Sequence, residues 1–470
     1  MKERYESPLA GRYASDYMIE LFSEKNRHIL WRKLWVELAR AEHELGLPIT
    51  SEQVKELEAH ITDIDYAVVS AKEKEIRHDV MAHIYAYGEV CPKAKGIIHL
   101  GATSCYVTDN ADLILYRQAL SYIRNELWHV ISILKDFALR YKAMPTLGYT
   151  HLQPAQLVTV GKRACLWIQD LLNDAAELDF VLSQIRFLGC RGTTGTEASF
   201  MELFKGDSAK IDEMNRRIAA AFGFQSLFPV CGQTYPRKLD SQILNVLSAV
   251  CQSCYKFAND LRLLQHLQQI EEPHEAEQVG SSAMAYKRNP MRSERLCSLA
   301  RFVMVDALNA PLTASVQWFE RTLDDSANRR ITLPEGFLAT DAVLRLMSNI
   351  SRGLIVNEKI IERDVRQFLP FIATENLLMA SVEKGGDRQI SHEIIRKHSL
   401  EVADRIKNGE SGNLFELLAN DPDFNLSAEE INSALNPQDF IGRCVEQVEN
   451  FLNSFEIQYS SDFLEEEITL

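Results

Sequence analysis

Apolar residues recur at steps of three and four over long stretches of this chain. Leu113, Tyr116, Leu120, Ile123, Leu127, Val130, Leu134, Phe137 and Tyr141 form an unbroken seam, about 28 residues of one helical face. No glycine or proline interrupts residues 102–144. The pattern returns at Ala164, Ile168, Leu171, Ala175, Leu178, Leu182 and Ile185, and again at Ile243, Leu247, Val250, Cys254, Phe257, Leu261 and Leu264. Shorter helical patterns fit 29–45, 67–87, 291–309 and 335–352. The first of these ends at Gly46, and Thr50 with Gln53 three residues on reads as a capping box. Seams this long exceed the ordinary globular helix. They predict a long helical bundle, shared between subunits because its extra apolar faces need burial. No alternating strand pattern of comparable strength appears, which argues against an α/β fold.

After residue 357 the helical patterns shorten, around Gly385-Gly386, a polar stretch at 408–413 and an acidic end, Glu465-Glu466-Glu467. The reading is all-α in three domains: 1–103 N-terminal, 104–356 central long-helix bundle, 357–470 C-terminal. The acidic end is expected to be solvated.

Composition narrows the function classes. A formal charge of −15 over 470 residues argues against a nucleic-acid partner held by bulk electrostatics, and leaves room for a local basic pocket. The start, Met1-Lys2-Glu3-Arg4, leads into no apolar signal core. No run of about 18 apolar residues predicts a membrane span. Nine scattered cysteines, an odd number in a long chain, fit reduced thiols and a cytoplasmic location. Cys251 and Cys254 lie inside a helical seam and read as core. His78 and His83 are five apart, which does not put both on one helix face, so no metal is expected, and no cofactor.

The unusual chemistry lies in the connections: 101–109, 145–156, 189–200, 229–238, 280–290 and 321–334. Helices roughly 40 Å long hold connections at opposite ends of one chain far apart. A site combining several of them needs more than one subunit. Residues 189–195 are glycine-rich without a Walker or dinucleotide fingerprint, and read as an anion-friendly turn.

The segment Gly280-Ser281-Ser282-Ala283-Met284-Ala285-Tyr286-Lys287-Arg288-Asn289-Pro290 is the most informative. It starts small and flexible, then presents a cation, an amide and a helix-starting proline. Such a cluster suits a carboxylate that gains charge in a transition state; a solvated loop is the alternative. Its order resembles the signature of the fumarase/aspartase superfamily, and 281–295 resembles the adenylosuccinate lyase family. Ala285 stands where that family usually has proline. Thr150-His151-Leu152-Gln153-Pro154-Ala155-Gln156, placed beside a helix start, resembles a second motif of the family. So do Arg77-His78-Asp79-Val80-Met81-Ala82-His83, read as lying within a helical stretch, the run 318–330, and Ser7-Pro8-Leu9-Ala10-Gly11-Arg12-Tyr13.

The resemblance covers nearly the whole chain. It implies a homotetrameric enzyme with a fumarase/aspartase-like fold and shared active sites. Such an enzyme releases fumarate from adenylosuccinate and from the succinyl-carboxamide ribotide SAICAR by β-elimination. His151 is then the general acid, and Ser281, which the residues alone do not separate from Ser282, the general base. Lys287 and Asn289 face the developing dianion, with Thr103 and Ser104 near the other carboxylate. Glu294 orients His151; a surface charge partner is its plainer reading. Arg321, Ser326 and Arg330 become nucleotide contacts, although Glu320, Asp324 and Asp325 stand close enough in sequence to absorb such charge. Arg12, Tyr13, Arg77, His78, Asp79, Thr150, Gln233 and Arg295 map onto further substrate-contacting positions. Another lyase of the superfamily, such as argininosuccinate lyase or fumarase, and a silent helical scaffold are the rivals.

Overall fold

The computed structural model describes residues 5–275, 284, 286–433, 436–460, 463, 465 and 468. Its principal helices are α1 Glu24–Glu44, α2 Tyr66–Ile76, α3 Asp79–Val90, α4 Ser104–Arg140, α5 Val160–Gln184, α6 Lys238–His266, α7 Met291–Asp306, α8 Asn309–Ser315, α9 Asp325–Arg352, α10 Glu358–Ile372 and α11 Cys444–Asn453.

The three seams become α4, α5 and α6, and their apolar positions are the core. Leu113, Leu120, Ile123, Leu127, Val130 and Leu134 on α4 are fully buried, as are Ile243, Leu247, Val250, Cys254 and Phe257 on α6. α4 packs on α5 and α9, and α6 packs on α5, α7 and α9, which makes an all-α bundle of long helices. Cys251 and Cys254 sit fully buried on α6 as free thiols. The Thr50 and Gln53 side chains exchange the two hydrogen bonds of a capping box.

Ion pairs lock one end of the bundle. Arg237 before α6 donates to Asp109 on α4 at 2.9 Å and to Asp325 on α9 at 2.6 Å. Arg329 on α9 donates to Asp240 at 2.6 Å and to Asp112 at 3.1 Å. These pairs explain a difference from the expected 335–352. α9 starts ten residues earlier, at Asp325, and runs through Pro334. Proline removes one helical hydrogen bond and normally ends a helix. Here buried Asp325, Arg329, Thr332 and Leu333 tie the early turns to the core, and tertiary packing outweighs the lost bond.

Three further expectations are corrected. Residues 145–159 form a β-hairpin, β1 Pro145–Thr150 paired antiparallel with β2 Gln153–Thr159, so His151 lies at a hairpin tip nine residues before α5. Arg77 and His78 break the helical stretch: Arg77 ends α2 in the left-handed region at φ 55°, His78 is the N-cap of α3, and Asp79 is its first helical residue. In the turn at 189–195 two amides are already committed: Asn110 Oδ1 accepts from Gly189, and Asn215 Oδ1 from Cys190. At the C-terminus, Glu465 is not solvated: it pairs with Arg352, His129 and Ser348 on the bundle.

β3 Ile270–Glu271 and β4 Ile355–Val356 pair after α6 and α9. Ile361, Val365 and Leu369 of α10 and Cys444, Val448 and Leu452 of α11 join the bundle core. A separate core lies within residues 373–431. Met291–Ser315 is apolar enough by length and composition to cross a membrane, but it is two helices, α7 and α8, both packed on α6 and α9.

Candidate active site

The residues singled out in the sequence fall into three groups. At the ion-paired end, Thr103 is the N-cap of α4, with Ser104 as the first helical residue, and the Thr103 hydroxyl makes no capping hydrogen bond. Gln233 lies beside them: its Oε1 accepts from the Cys105 thiol at 3.5 Å, and its N–H donates to the Glu320 carbonyl at 3.0 Å. Gly232 makes that approach possible, since a Cβ there would meet the Glu320 carbonyl oxygen at 2.5 Å. Burial pushes the Cys105 thiol up to about 12, which keeps it protonated and inert.

The run around α9 separates its three arginines. Arg329 is buried among Asp112, Asp240, Tyr116 and Tyr235, and is structural. Arg321 donates to Asp325 at 2.8 Å and to the Thr322 carbonyl at 2.6 Å. Burial alone would raise the Asp325 carboxyl, but Arg237 and Arg321 outweigh it and hold it below the usual carboxylate range. Arg330 is exposed and reaches Asp79 at 3.0 Å, the kind of surface pair worth under about 1 kcal/mol and easily exchanged for another anion. Ser326 is half-buried beside it, with no side-chain partner among the described residues. His78 Nδ1 accepts from the Met81 N–H at 3.3 Å. Arg77 is exposed.

The second group gathers where α7 begins. Tyr13 lies between two guanidinium groups, Arg12 at 5.7 Å and Arg295 at 5.8 Å from its ring centre. Arg345 on α9 donates to the Tyr13 carbonyl at 2.9 Å. Lys287 is exposed, without an ion pair among the described residues, and Glu294 is exposed in the first turn of α7. Asn289 sits between them, its carbonyl accepting from Met291. Ser281, Ser282 and Ala285 lie outside the described residues.

The third group is the hairpin tip. His151 and Leu152 both adopt left-handed φ, 54° and 56°. Two consecutive residues of that kind make the I′-type turn that matches strand twist. The tip presents Thr150 and His151 to solvent. Within one chain no hydrogen bond joins His151 to Glu294, so the expected pair is absent there.

The first two groups are held apart by α9 itself. Ser326 and Arg330 occupy its first two turns, while Arg345, which holds Tyr13, lies about 22 Å further along. The hairpin is tied to the far end as well, since Tyr149 accepts from Gln269, just past α6, at 3.2 Å. α6 is 29 residues long, about 43 Å. Sequence reasoning missed the buried carboxylates that organise the near end. Asp109 and Asp112, one turn apart inside an apolar helix, were the available signal. Among the described residues no cluster of three or more metal-ligating side chains occurs.

The fold recurs in solved structures. The fumarate lyase from Mesorhizobium sp. BNC1 superposes with a TM-score of 0.80 at 23% identity, covering 96% of this chain and 100% of that one. The 3-carboxy-cis,cis-muconate lactonizing enzyme from Pseudomonas putida gives 0.82 at 22%, covering 95% and 98%. A family model described as lyase matches residues 11–305. Fold and family model together make this chain a lyase of the fumarase/aspartase superfamily. A model of the adenylosuccinate lyase C-terminus matches residues 370–451. The adenylosuccinate lyase of Schizosaccharomyces pombe is 51% identical over 453 residues, 96% of this chain and 94% of that protein. That of Saccharomyces cerevisiae is 51% identical over 454 residues, with the same coverage. The chain belongs to the adenylosuccinate lyase family.

Proposed function

We propose that this enzyme cleaves adenylosuccinate to AMP and fumarate, and SAICAR to AICAR and fumarate, as a cytoplasmic homotetramer whose active sites are shared between subunits. Ser281 takes the proton from the carbon next to a carboxylate. Lys287 and Asn289 stabilise the dianion that forms. The electron pair then makes the C=C bond of fumarate as the C–N bond breaks, and His151 protonates the departing nitrogen. Glu294 of another subunit orients His151. The nucleotide lies against Arg12, Tyr13, Arg295, Arg321, Ser326 and Arg330, with Arg330 exchanging Asp79 for phosphate. Arg77, His78, Asp79, Thr103, Ser104, Thr150 and Gln233 complete the surround.

One observation carries the shared site. The chemical groups stand at opposite ends of rigid helices, and the side chains of His151, Lys287 and Glu294 all face solvent with no hydrogen-bond or ion-pair partner among the described residues. A facing copy brings them together. The apolar run on the α8 side supports assembly: Val305, Leu308, Leu312, Trp318 and Leu323 are each more than 60% exposed, a patch of the sort that marks an interface.

The test is fumarate release from adenylosuccinate and from SAICAR by the purified protein. His151→Ala and Ser281→Ala should each lower kcat at least about 100-fold while the tetramer persists by light scattering. Near-normal kcat in either variant removes that residue from its role. A wild type that acts only on argininosuccinate or malate overturns the substrate.

A further inference from the structure

Residues 267–290 connect α6 to α7, and the described residues at the two ends of this connection are bound to each other. The N-cap position of α7 is Pro290, and no side chain at that position caps the helix. Its first-turn amides are taken instead by Glu272, far back in sequence. The Arg292 N–H donates to Glu272 Oε1 at 3.0 Å, and the Ser293 N–H and hydroxyl both donate to Oε2 at 2.9 Å. Glu272 is only 4% exposed. Its own N–H donates to Gln265 Oε1 at 3.2 Å, and Gln265 Nε2 donates to the Arg288 carbonyl at 3.3 Å. Arg292 also reaches Glu275 at 2.7 Å.

We propose that Glu272 is a positioning residue for the elimination, fixing the point and the rotation at which the chain re-enters the bundle. This rests on the roles given above to Ser281, Lys287, Asn289 and Glu294. Lys287 and Asn289 lie just before the anchored amides, and Glu294 just after them. On a helix one residue is about 100° of rotation, so a slip of α7 against Glu272 swings Glu294 and Arg295 off their targets. Ser281 lies between Glu272 and Arg292 in the sequence. An ordinary helix cap sets stability alone. Glu272 caps from outside the helix and so couples the start of the segment to its end.

Glu272→Gln keeps the shape but turns an amide N–H₂ toward groups that are themselves donors. In the assembled enzyme its kcat on adenylosuccinate should fall about 30- to 100-fold, as a misplacement near 1 Å does. KM should rise by a smaller factor than kcat falls, because Arg295 is displaced while Arg321, Ser326 and Arg330 at the other end are untouched. Glu272→Asp should recover part of the loss. Ser293→Ala removes one donor only and should lower kcat about threefold to tenfold in the same pattern, and it decides the matter if Glu272 variants do not fold. Unchanged kcat in Glu272→Gln and Ser293→Ala, beside an active wild type, overturns the role of Glu272 and leaves the substrate standing. So does a loss in which KM rises as much as kcat falls. A wild type silent on adenylosuccinate overturns both readings together.

Discussion

Glu42 on α1 is fully buried, and neither carboxylate oxygen has a hydrogen-bond partner among the described residues. Burial pushes its carboxyl up to about 9. A raised folded-state value contributes stability that is complete below the unfolded value, near 4.5, and is lost as pH climbs through about 9. Glu42→Gln has no proton to lose. Between pH 5 and pH 8 its stability relative to wild type should therefore rise by on the order of 3 kcal/mol, read from urea unfolding at each pH. A constant gap would show that Glu42 does not titrate in this way. Buried His83 and half-buried His28 work in the opposite sense. Desolvation first, then neighbouring charge, lowers His83 to about 4 and His28 to about 3, and their ring centres lie 4.0 Å apart, tilted to each other. Their depressed values contribute stability that is present above about 6.5 and is lost as pH falls toward 4. Acid melts should show a decline that begins near pH 6.5 and is weakened in His83→Gln. The same decline from pH 7 to pH 5 in His83→Gln as in wild type would contradict this. At this scale the sequence was ambiguous. Spacing alone did not separate Arg329, a core ion-pair residue, from Arg321 and Arg330, which only the family resemblance singled out, because which arginine faces inward depends on where α9 begins.

Helices were legible as elements and the hairpin was not. A 3–4 apolar seam is a direct consequence of 3.6 residues per turn, so α4, α5 and α6 could be read from spacing. β1 and β2 are short, contain Gly148 and Pro154, and bury only part of one face, so they leave no alternation to count. Their turn is also unusual, since His151 and Leu152 hold left-handed conformations that favour glycine or asparagine. Leu152→Gly should relieve that strain and stabilise the hairpin by about 0.5 to 1 kcal/mol, with kcat retained because His151 stays in place. The check is thermal melting alongside fumarate release. Loss of both activity and stability would mean that Leu152, 73% exposed in one chain, is packed against a partner subunit in the assembly.

For the whole molecule the decisive feature is separation. His151→Ala and Glu294→Ala should each be nearly inactive alone. Subunits of the two variants dissociated and reassembled together should regain a measurable fraction of wild-type turnover, since some sites then receive His151 and Glu294 from different intact chains. No recovery from mixed tetramers would place both residues in one chain's site and overturn the shared arrangement.

The sequence by itself determined the helical class, the long seams and the family, because local periodicity and short motifs are written in consecutive residues. The tertiary structure alone decided the rest. It extended α9 through Pro334 by ion-pairing its first turns, tied Glu465 to the bundle, and placed Glu272 on the amides of α7. In each case the deciding contact joins residues far apart in the chain, where neither spacing nor propensity carries any signal.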